Sequence, residues 1–222
     1  MLRIFRYQFR AQIKDGAGPA ITQALSAEKN QIDRELLRDA VILLRIYQFG
    51  NQMFVYLESE RQISNLNLPK SISDLLFAWP GQIQIRKSVP MMDIFHDGIP
   101  RTDAVWRASD IPRKSIGSII YLRPEKYCSY VFYHFQLQEE GLRKFNKYYL
   151  IGAHENCLFS YQEVPAEIDS SNIGSILTTN NSPENWAELM GQHFQPWQEG
   201  IGMEIAWKAM DEIYAYLAVP RY

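Results

Sequence analysis

Two eight-residue segments of the chain are closely similar to each other. Residues 51–58 read NQMFVYLE and residues 156–163 read NCLFSYQE, so Asn, Phe, Tyr and Glu recur with the same spacing after a displacement of 105 positions. Four identities in eight exceed what hairpin chemistry alone requires. A weaker similarity joins MDIF at residues 92–95 to MDEIY at residues 210–214, with a one-residue shift. The repeat predicts two copies of one structural unit.

Hydrophobic periodicity predicts the same order of elements in both halves of the chain. In the first half we expect a strand at 4–9, a helix at 19–40, a hairpin of 41–49 and 53–58 turning at Gly50-Asn51, a helix at 71–79 and a strand at 91–95. In the second half the corresponding elements are 116–122, 124–145, 148–151, 158–163, 183–194 and 205–217. Both halves therefore read β-α-β-β-α-β.

This order is that of the ferredoxin-like fold, an antiparallel sheet with both helices on one face. The other face of such a sheet is uncovered, and a second copy packed against it would bury it. We therefore predict an α+β protein of two tandem ferredoxin-like units, residues 1–100 and 115–222, joined by a linker at 101–114. The units would pack sheet to sheet as a pseudo-dimeric α+β barrel, which leaves room for a further homodimer.

The composition narrows the classes of partner. Lys plus Arg number 23 and Asp plus Glu 25, a net charge of -2 that provides no field for nucleic acid or acidic membranes. The first ten residues alternate in polarity and lack the apolar block of a signal peptide or membrane span. Cys128 and Cys157 have no metal-ligand spacing, so we expect two buried, reduced thiols. A cytoplasmic protein without nucleic-acid or membrane partners is predicted.

The segment 124–139 carries the strongest chemical signal. Tyr130 and His134 stand four residues apart and so share one face of the predicted helix, which Tyr127 and Gln138 extend. An imidazole titrates near pH ~6.5 and can both take and give a proton at neutral pH. The alternative is a histidine packed in the core and satisfied by a hydrogen bond.

The second half also resembles the L-rhamnose mutarotase family. The similarity consists of Pro124, the Tyr130-x-x-x-His134 pair, the Asn156-x-Leu-Phe hairpin ending in Glu163, the Asn185-Trp186 helix with Met190, and the closing segment 210–214. These elements span almost all of the second copy.

The resemblance implies a dimeric ferredoxin-like enzyme that interconverts the α and β anomers of a deoxy sugar. In that family a Tyr and a His on the first helix face a pocket closed by tryptophans, which here correspond to Tyr130, His134 and Trp186. The family's adjacent Trp pair is Asn185-Trp186 here, and its later strand Tyr falls at Tyr149 or Leu150. The implied catalytic residues are His134 and Tyr130. The implied substrate-binding residues are Trp186, Tyr133, Gln138, Tyr149, Glu163 and Asn185.

Anomer exchange needs a proton donor and acceptor but neither a metal nor a nucleotide. No HxxxH, HxH, CxxC, Walker or GxGxxG spacing occurs in the sequence, so we predict no cofactor and no metal. A monosaccharide is the expected substrate. Two alternatives remain open: a sugar-binding protein without turnover, and a monooxygenase or haem-handling protein of the dimeric α+β barrel type in which His134 is a base or ligand.

The remaining histidines and tryptophans carry weaker expectations. We favour positions in loops or helix ends, in contact with water, for His96 and His193; the alternative is that they contribute to a pocket between the copies. We expect His154 to lie in the hairpin turn without a role. Trp197 and Trp207 flank a predicted flexible loop, which would cap the pocket or be buried between the copies. The first helix of the first copy has neither Tyr nor His, so that copy is predicted to be a scaffold.

Overall fold

The structure is a computed structural model of the 222-residue chain. It describes residues 3–80, 85–100, 106–109, 111–141, 144–168, 177–199, 202–204 and 206–218. The described part forms two five-stranded antiparallel sheets with helices. The α+β class and the tandem ferredoxin-like arrangement are therefore confirmed. Part of the predicted linker, at 101–105 and 110, lies outside the described residues.

Strands and helices of the described residues are numbered in chain order. The strands are β1 (Phe5–Gln12), β2 (Val41–Phe49), β3 (Gln52–Ser59), β4 (Val89–Pro90), β5 (Met92–His96), β6 (Lys114–Tyr121), β7 (Leu150–His154), β8 (Cys157–Val164), β9 (Trp197–Glu199), β10 (Gly202–Glu204), β11 (Lys208–Ala209) and β12 (Asp211–Leu217). The helices are α1 (Gly18–Ala27), α2 (Lys29–Arg38), α3 (Lys70–Ser73), α4 (Tyr127–Glu140) and α5 (Trp186–Gly191).

The first sheet has the order β12-β2-β3-β1-β4. Its core includes Ile21 and Leu25 of α1, Ile32 of α2, and alternate residues of β1 and β3 such as Phe9 and Val55. The single helix predicted at 19–40 is two helices, because the backbone leaves helical geometry at Glu28, where φ is -98° and ψ is 9°. Both helices still contribute buried residues to this core, whereas Leu37 of α2 is exposed.

The second sheet has the order β11-β6-β8-β7-β5. A 3-10 turn at Pro124–Lys126 leads into α4. The helix ends at Glu140 rather than at the predicted residue 145, because Gly141 adopts the left-handed conformation at φ 64°. A glycine there satisfies the last carbonyls of a helix without steric cost. The glycine at position 141 of the sequence therefore marks the C-terminal end of α4.

The two sheets exchange one strand each along the chain. After β4 pairs with β1, the chain continues as β5 and pairs with β7 of the second sheet. After β11 pairs with β6, it continues as β12 and pairs with β2 of the first sheet. The first unit therefore comprises Met1–Met91, Pro100–Ile111 and Met210–Tyr222, and the second comprises Met92–Ile99 and Pro112–Ala209.

These units differ from the predicted boundaries at 1–100 and 115–222. The prediction assigned the strand at 91–95 to the first unit and the strand at 205–217 to the second. The alternation of apolar and polar residues identifies a strand but not the sheet in which it pairs. The exchange therefore left no signal in the hydrophobic pattern.

The repeat seen in the sequence is also present in the backbone. Strands β3 and β8 begin at 52 and 157 and end at 59 and 164, a displacement of 105 at both ends. Gly50 and Glu155, which hold the same place in the two hairpin turns, both have φ 54°. The hydroxyl of Tyr56 donates to Glu58 at 2.5 Å, and that of Tyr161 donates to Glu163 at 2.6 Å. The two hairpins are thus equivalent in geometry and in side-chain bonding.

Two further predictions concern single features. Cys157 is buried as expected, but Cys128 is exposed, and both are free thiols. The prediction for Cys128 was wrong because residues 128, 132 and 135 lie on the outer face of α4, where Phe132 and Phe135 are exposed as well. Within the described ranges, no helix combines the length and apolarity needed to cross a membrane.

Candidate functional site

The inner face of α4 positions the candidate site in the second unit. Its buried residues are Tyr130, His134, Leu137 and Glu140, which recur at intervals of three and four and so form one stripe. Tyr130 and Leu137 pack in a cluster with sheet residues such as Ile120 and Leu158. The phenol and the imidazole therefore point towards the core between helix and sheet, as the spacing predicts.

His134 is held in one orientation by its own helix. Its side chain is buried, and Nδ1 lies 2.9 Å from the carbonyl oxygen of Tyr130, one turn earlier. A carbonyl oxygen only accepts hydrogen bonds, so Nδ1 carries the proton and donates. In the neutral ring the lone pair is then on Nε2. The helix thus fixes the ring orientation and the tautomer of His134.

Aromatic rings surround His134. The ring of Tyr130 lies 4.0 Å away between centroids, and the indole of Trp186 lies 5.0 Å away at an angle of 69°. Phe95 of β5 meets the imidazole edge to face at 6.1 Å. Trp186 is only half-buried, so this aromatic cluster reaches the surface of the unit beside His134.

Two tyrosines of the site remain protonated at neutral pH. Burial raises the pKa of Tyr130 well above 10, and the nearby Tyr149 raises it further. Burial raises the pKa of Tyr149 to about 12. The backbone of Tyr149 is fixed, since its N–H donates to the carbonyl of Asn146 at 2.8 Å and its carbonyl accepts the N–H of Asp97 at 3.0 Å. Both phenols are therefore neutral and can donate hydrogen bonds.

The structure brings together only some of the predicted substrate-binding residues. Trp186 contacts His134 directly, and Tyr133 and Tyr149 pack against the same apolar cluster. Tyr149 also packs against Phe145, at 4.9 Å between ring centroids. Of these described residues, Tyr130 and Trp186 contact His134 directly, whereas Tyr133 and Tyr149 belong to the same apolar cluster without a ring contact to it.

Three other predicted residues are engaged elsewhere. The amide oxygen of Gln138 accepts the backbone N–H of His96 at 2.8 Å and so fixes the end of β5. Asn185 is exposed at the N-terminus of α5. Glu163 accepts from Tyr161 and lies five positions from Leu158, on the opposite face of β8 from the helix-covered core. The structure therefore gives Gln138 and Glu163 other hydrogen-bond partners and leaves Asn185 exposed.

His193 was missed by the sequence reasoning. It was predicted to contact water, but its side chain is 2% exposed. Nδ1 donates to the carbonyl of Leu189 at 2.8 Å, and Nε2 lies 2.9 Å from Ser129 Oγ. Its ring also meets Tyr130 at 5.8 Å and Tyr133 at 6.0 Å. The prediction was wrong because α5 ends against α4, so the residue after its last turn is covered.

The segment between Trp197 and Trp207 is not a plain loop. Residues 197–199 and 202–204 form the antiparallel pair β9 and β10, whereas 200 and 201 lie outside the described residues. The indole of Trp197 donates to the carbonyl of Ala206 at 2.7 Å.

The two remaining histidines lie on the neighbouring strands β5 and β7. His96 pairs with Asp93 at 3.0 Å, and His154 is the last residue of β7. In the described ranges, no group of three His, Cys, Asp or Glu side chains is placed to share a metal ion.

Comparison with known proteins assigns no family. No family model matches the sequence, and no curated protein matches it. A candidate monooxygenase from Fusobacterium nucleatum is similar over 97% of this chain and 94% of its own, at 8% identity and TM-score 0.36. One from Lactobacillus acidophilus aligns over 97% and 96%, at 7% identity and TM-score 0.40. An anthrone oxidase-like protein aligns over 96% of each chain, at 9% identity and TM-score 0.40.

Likenesses this distant identify neither a relative nor an activity. The class of protein is defined by the fold and the site themselves: a tandem ferredoxin-like α+β protein whose second unit holds a histidine base among aromatic side chains.

Proposed function

We propose that the second unit is an acid–base enzyme acting on a neutral, ring-shaped small molecule. His134 takes a proton at Nε2, and the neutral phenols of Tyr130 and Tyr149 donate hydrogen bonds to the developing charge. The observation that carries the proposal is the 2.9 Å bond from His134 Nδ1 to the carbonyl of Tyr130, which fixes the tautomer. Trp186 provides a ring face on which the substrate stacks.

The character of the side chains favours a weakly polar substrate. Around His134 the contacts are aromatic, and the polar groups expected to hold sugar hydroxyls, Gln138, Glu163 and Asn185, are bonded elsewhere or exposed. A polyhydroxylated ligand would leave many buried hydroxyls unpaired, at a cost of about 1–3 kcal/mol each. An aromatic compound with an activated methylene is the better fit.

The reaction in that case is of the cofactor-free monooxygenase type. His134 removes a proton from the activated methylene, and the resulting carbanion reacts with dioxygen, which is the oxidant. One oxygen atom becomes the new carbonyl oxygen, and the other leaves as water with the two methylene hydrogens. The protein contributes the base, the phenol donors that stabilise the anion, and an apolar setting that strengthens both interactions.

A second candidate is mutarotation of a monosaccharide. The observation in its favour is the direct packing of Tyr130 on His134 at 4.0 Å, which places an acid and a base together. One proton acceptor and one donor suffice to open and close a sugar ring.

Two assays on the full chain separate the candidates. Oxygen uptake and product absorbance with anthrone, an aromatic ketone with an activated methylene, report the first. Saturation-transfer NMR on the anomeric protons of L-rhamnose and L-fucose reports the second. We expect turnover in the first assay that His134→Asn abolishes. If neither assay shows activity, the enzymatic proposal is overturned. Tight sugar binding that His134→Asn does not affect would indicate a binding protein. A coloured, haem-bound preparation would indicate that His134 is a haem ligand.

A further inference from the structure

The first unit contains a cavity of about 300 Å³. It lies between the second half of α2, the first residue of β2, the end of β3 and the segment that follows β3. Its apolar walls are Ile32, Leu36, Val41, Leu57, Ile63 and Leu66. Small-molecule sites commonly start at about this volume. The floor of this cavity is apolar and buried, at Ile32, Val41 and Leu57, whereas its rim is polar.

The outer wall of this cavity is fixed by the chain itself. Ser59, fully buried at the end of β3, donates from Oγ to the carbonyl of Arg61 at 2.8 Å and accepts its N–H at 3.0 Å. The N–H of Ile63 donates to the hydroxyl of Tyr7 at 3.0 Å. The N–H of Glu60 donates to the carbonyl of Ala40 at 3.0 Å. A ligand therefore enters a preformed space and does not have to order its wall.

Four charged side chains line the cavity, Glu35, Arg38, Asp39 and Arg61, and Arg61 is the one whose side chain has no bonding partner among the described residues. Arg38 pairs with Asp39 at 3.3 Å, and Glu35 accepts from Gln31 at 3.1 Å. Arg61 lines the cavity, and within the residues that the structure describes its guanidinium has no hydrogen bond or ion pair. The remaining rim groups are neutral, such as Asn65 and Asn67. An apolar floor with the unpaired guanidinium of Arg61 at the mouth matches a molecule with an apolar body and one carboxylate.

We propose that this cavity binds a small amphipathic monocarboxylate, with its apolar body against Ile32, Leu57 and Ile63 and its carboxylate at Arg61. The first unit, predicted to be a scaffold, thereby has a binding role of its own. Ligand binding in this cavity does not depend on His134, so a failure of the proposed reaction would leave it unaffected.

The test is an NMR titration of the full chain carrying labelled Ile, Leu and Val methyl groups. Sodium octanoate is the probe, and 1-octanol is its neutral counterpart. We expect octanoate to cause saturable shifts at Ile32, Leu57 and Ile63 and to bind at least fivefold more tightly than octanol. Arg61→Gln should lower octanoate affinity to that of octanol, because it removes the charge and little of the apolar contact.

Arg34→Gln is the matched control, because Arg34 is exposed on α2 and does not line the cavity. It should leave octanoate affinity unchanged, and so should His134→Asn. Leu36→Trp fills the cavity and should abolish binding of both probes; if it does not fold, Leu66→Trp on the other wall replaces it. Absence of saturable shifts, binding that persists in the folded filled variant, or equal losses in Arg34→Gln and Arg61→Gln would each overturn the proposal.

Discussion

His134 Nδ1 donates a 2.9 Å hydrogen bond to the carbonyl oxygen of Tyr130, four residues earlier on the same helix. The second buried histidine of this unit, His193, makes the same bond to Leu189 at 2.8 Å. The two imidazoles therefore have the same local anchor but different surroundings, because Nε2 of His193 lies against Ser129 whereas the ring of His134 meets Trp186. This pair allows a structural role to be separated from a chemical one.

Asparagine at position 134 should preserve the anchor and remove the base, since its amide nitrogen lies near the position of Nδ1 and nothing replaces Nε2. We expect His134→Asn to lower turnover at least ~100-fold, the lower range for loss of a general base. His193→Asn should cost a similar amount of thermal stability and leave turnover within a few-fold. Steady-state kinetics with thermal melts measure both effects. Equal losses of turnover in the two variants would mean that His134 acts only through packing.

The buried phenols predict a loss of stability in alkali. Tyr149 has a pKa of about 12 in the folded protein against 10 for an ordinary tyrosine, so above pH 10 the unfolded chain releases a proton that the folded chain keeps. Its stabilising contribution is therefore complete below pH 10 and is lost as the pH rises towards 12. Urea unfolding at pH 8, 10 and 11 should show a shallower decline for Tyr149→Phe than for the parent chain. Absorbance at 295 nm should show one fewer late-titrating tyrosine in the variant.

The carboxylate of Glu140 predicts a loss of stability in acid. Burial raises the pKa of Glu140, but hydrogen bonds from the N–H groups of Asn181 and Ser182 and from the hydroxyl of Thr179 outweigh it and bring the pKa to about 2. Because the folded value lies below the ordinary 4.5, the stabilisation is present above pH 4.5 and is lost as the pH falls towards 2.

We expect Glu140→Gln to be less stable than the parent chain at pH 7, with a much smaller deficit at pH 2.5, close to the folded pKa. Urea unfolding at the two pH values measures the difference. Glu139→Gln is the control, because Glu139 is exposed one position earlier on the same helix. A gap between Glu140→Gln and the parent that stayed constant with pH would show that the carboxylate charge is not what holds residues 179–182.

Glu58 should be the most sensitive carboxylate of the first unit. It is fully buried and accepts from Tyr56, from the indole of Trp106 at 2.9 Å and from Arg107 at 2.6 Å. Burial raises its pKa, but the charge and hydrogen bond of Arg107, together with the bonds from Tyr56 and Trp106, more than offset this and lower it. Glu58→Gln should reduce the free energy of unfolding by about 3 kcal/mol, since it leaves Arg107 without its counter-charge.

Denaturant titration at pH 7 measures this loss. Glu60→Gln, two residues on and past the end of β3, should change stability by no more than ~0.5 kcal/mol. If the two variants were equally stable, the buried cluster around Glu58 would contribute nothing beyond packing.

Local elements were predictable because their signals are local. Periodicity located the hairpins, and the recurrence of Asn, Phe, Tyr and Glu between 51–58 and 156–163 identified equivalent strands. The helix ends were less accurate, because the prediction gave the left-handed Gly141 too little weight against an apolar run continuing to Phe145. The exchange of β5 and β12 between the sheets could not be predicted, since the strand with which each one pairs depends on contacts between residues far apart in the chain.

The candidate site was predictable in the same graded way. Four-residue spacing placed Tyr130 and His134 on one buried face, and the contact with Trp186 followed from the resemblance. The sequence argued against a role for Glu163 in this site, because strand alternation puts it on the opposite face of β8 from Leu158. Almost nothing in the sequence indicated that His193 is buried, since a residue just past a short helix is normally exposed. Only the packing of α5 against α4 covers it.

The exchanged strands have a consequence for the independence of the two copies. A fragment ending at residue 99 would carry β5 without the strand β7 that it pairs with, and its own sheet would lack β12 at one edge. The complementary fragment would have the reverse deficiency. Neither half is therefore a self-sufficient folding module, and the two should behave as split-protein fragments that recover native structure only when mixed.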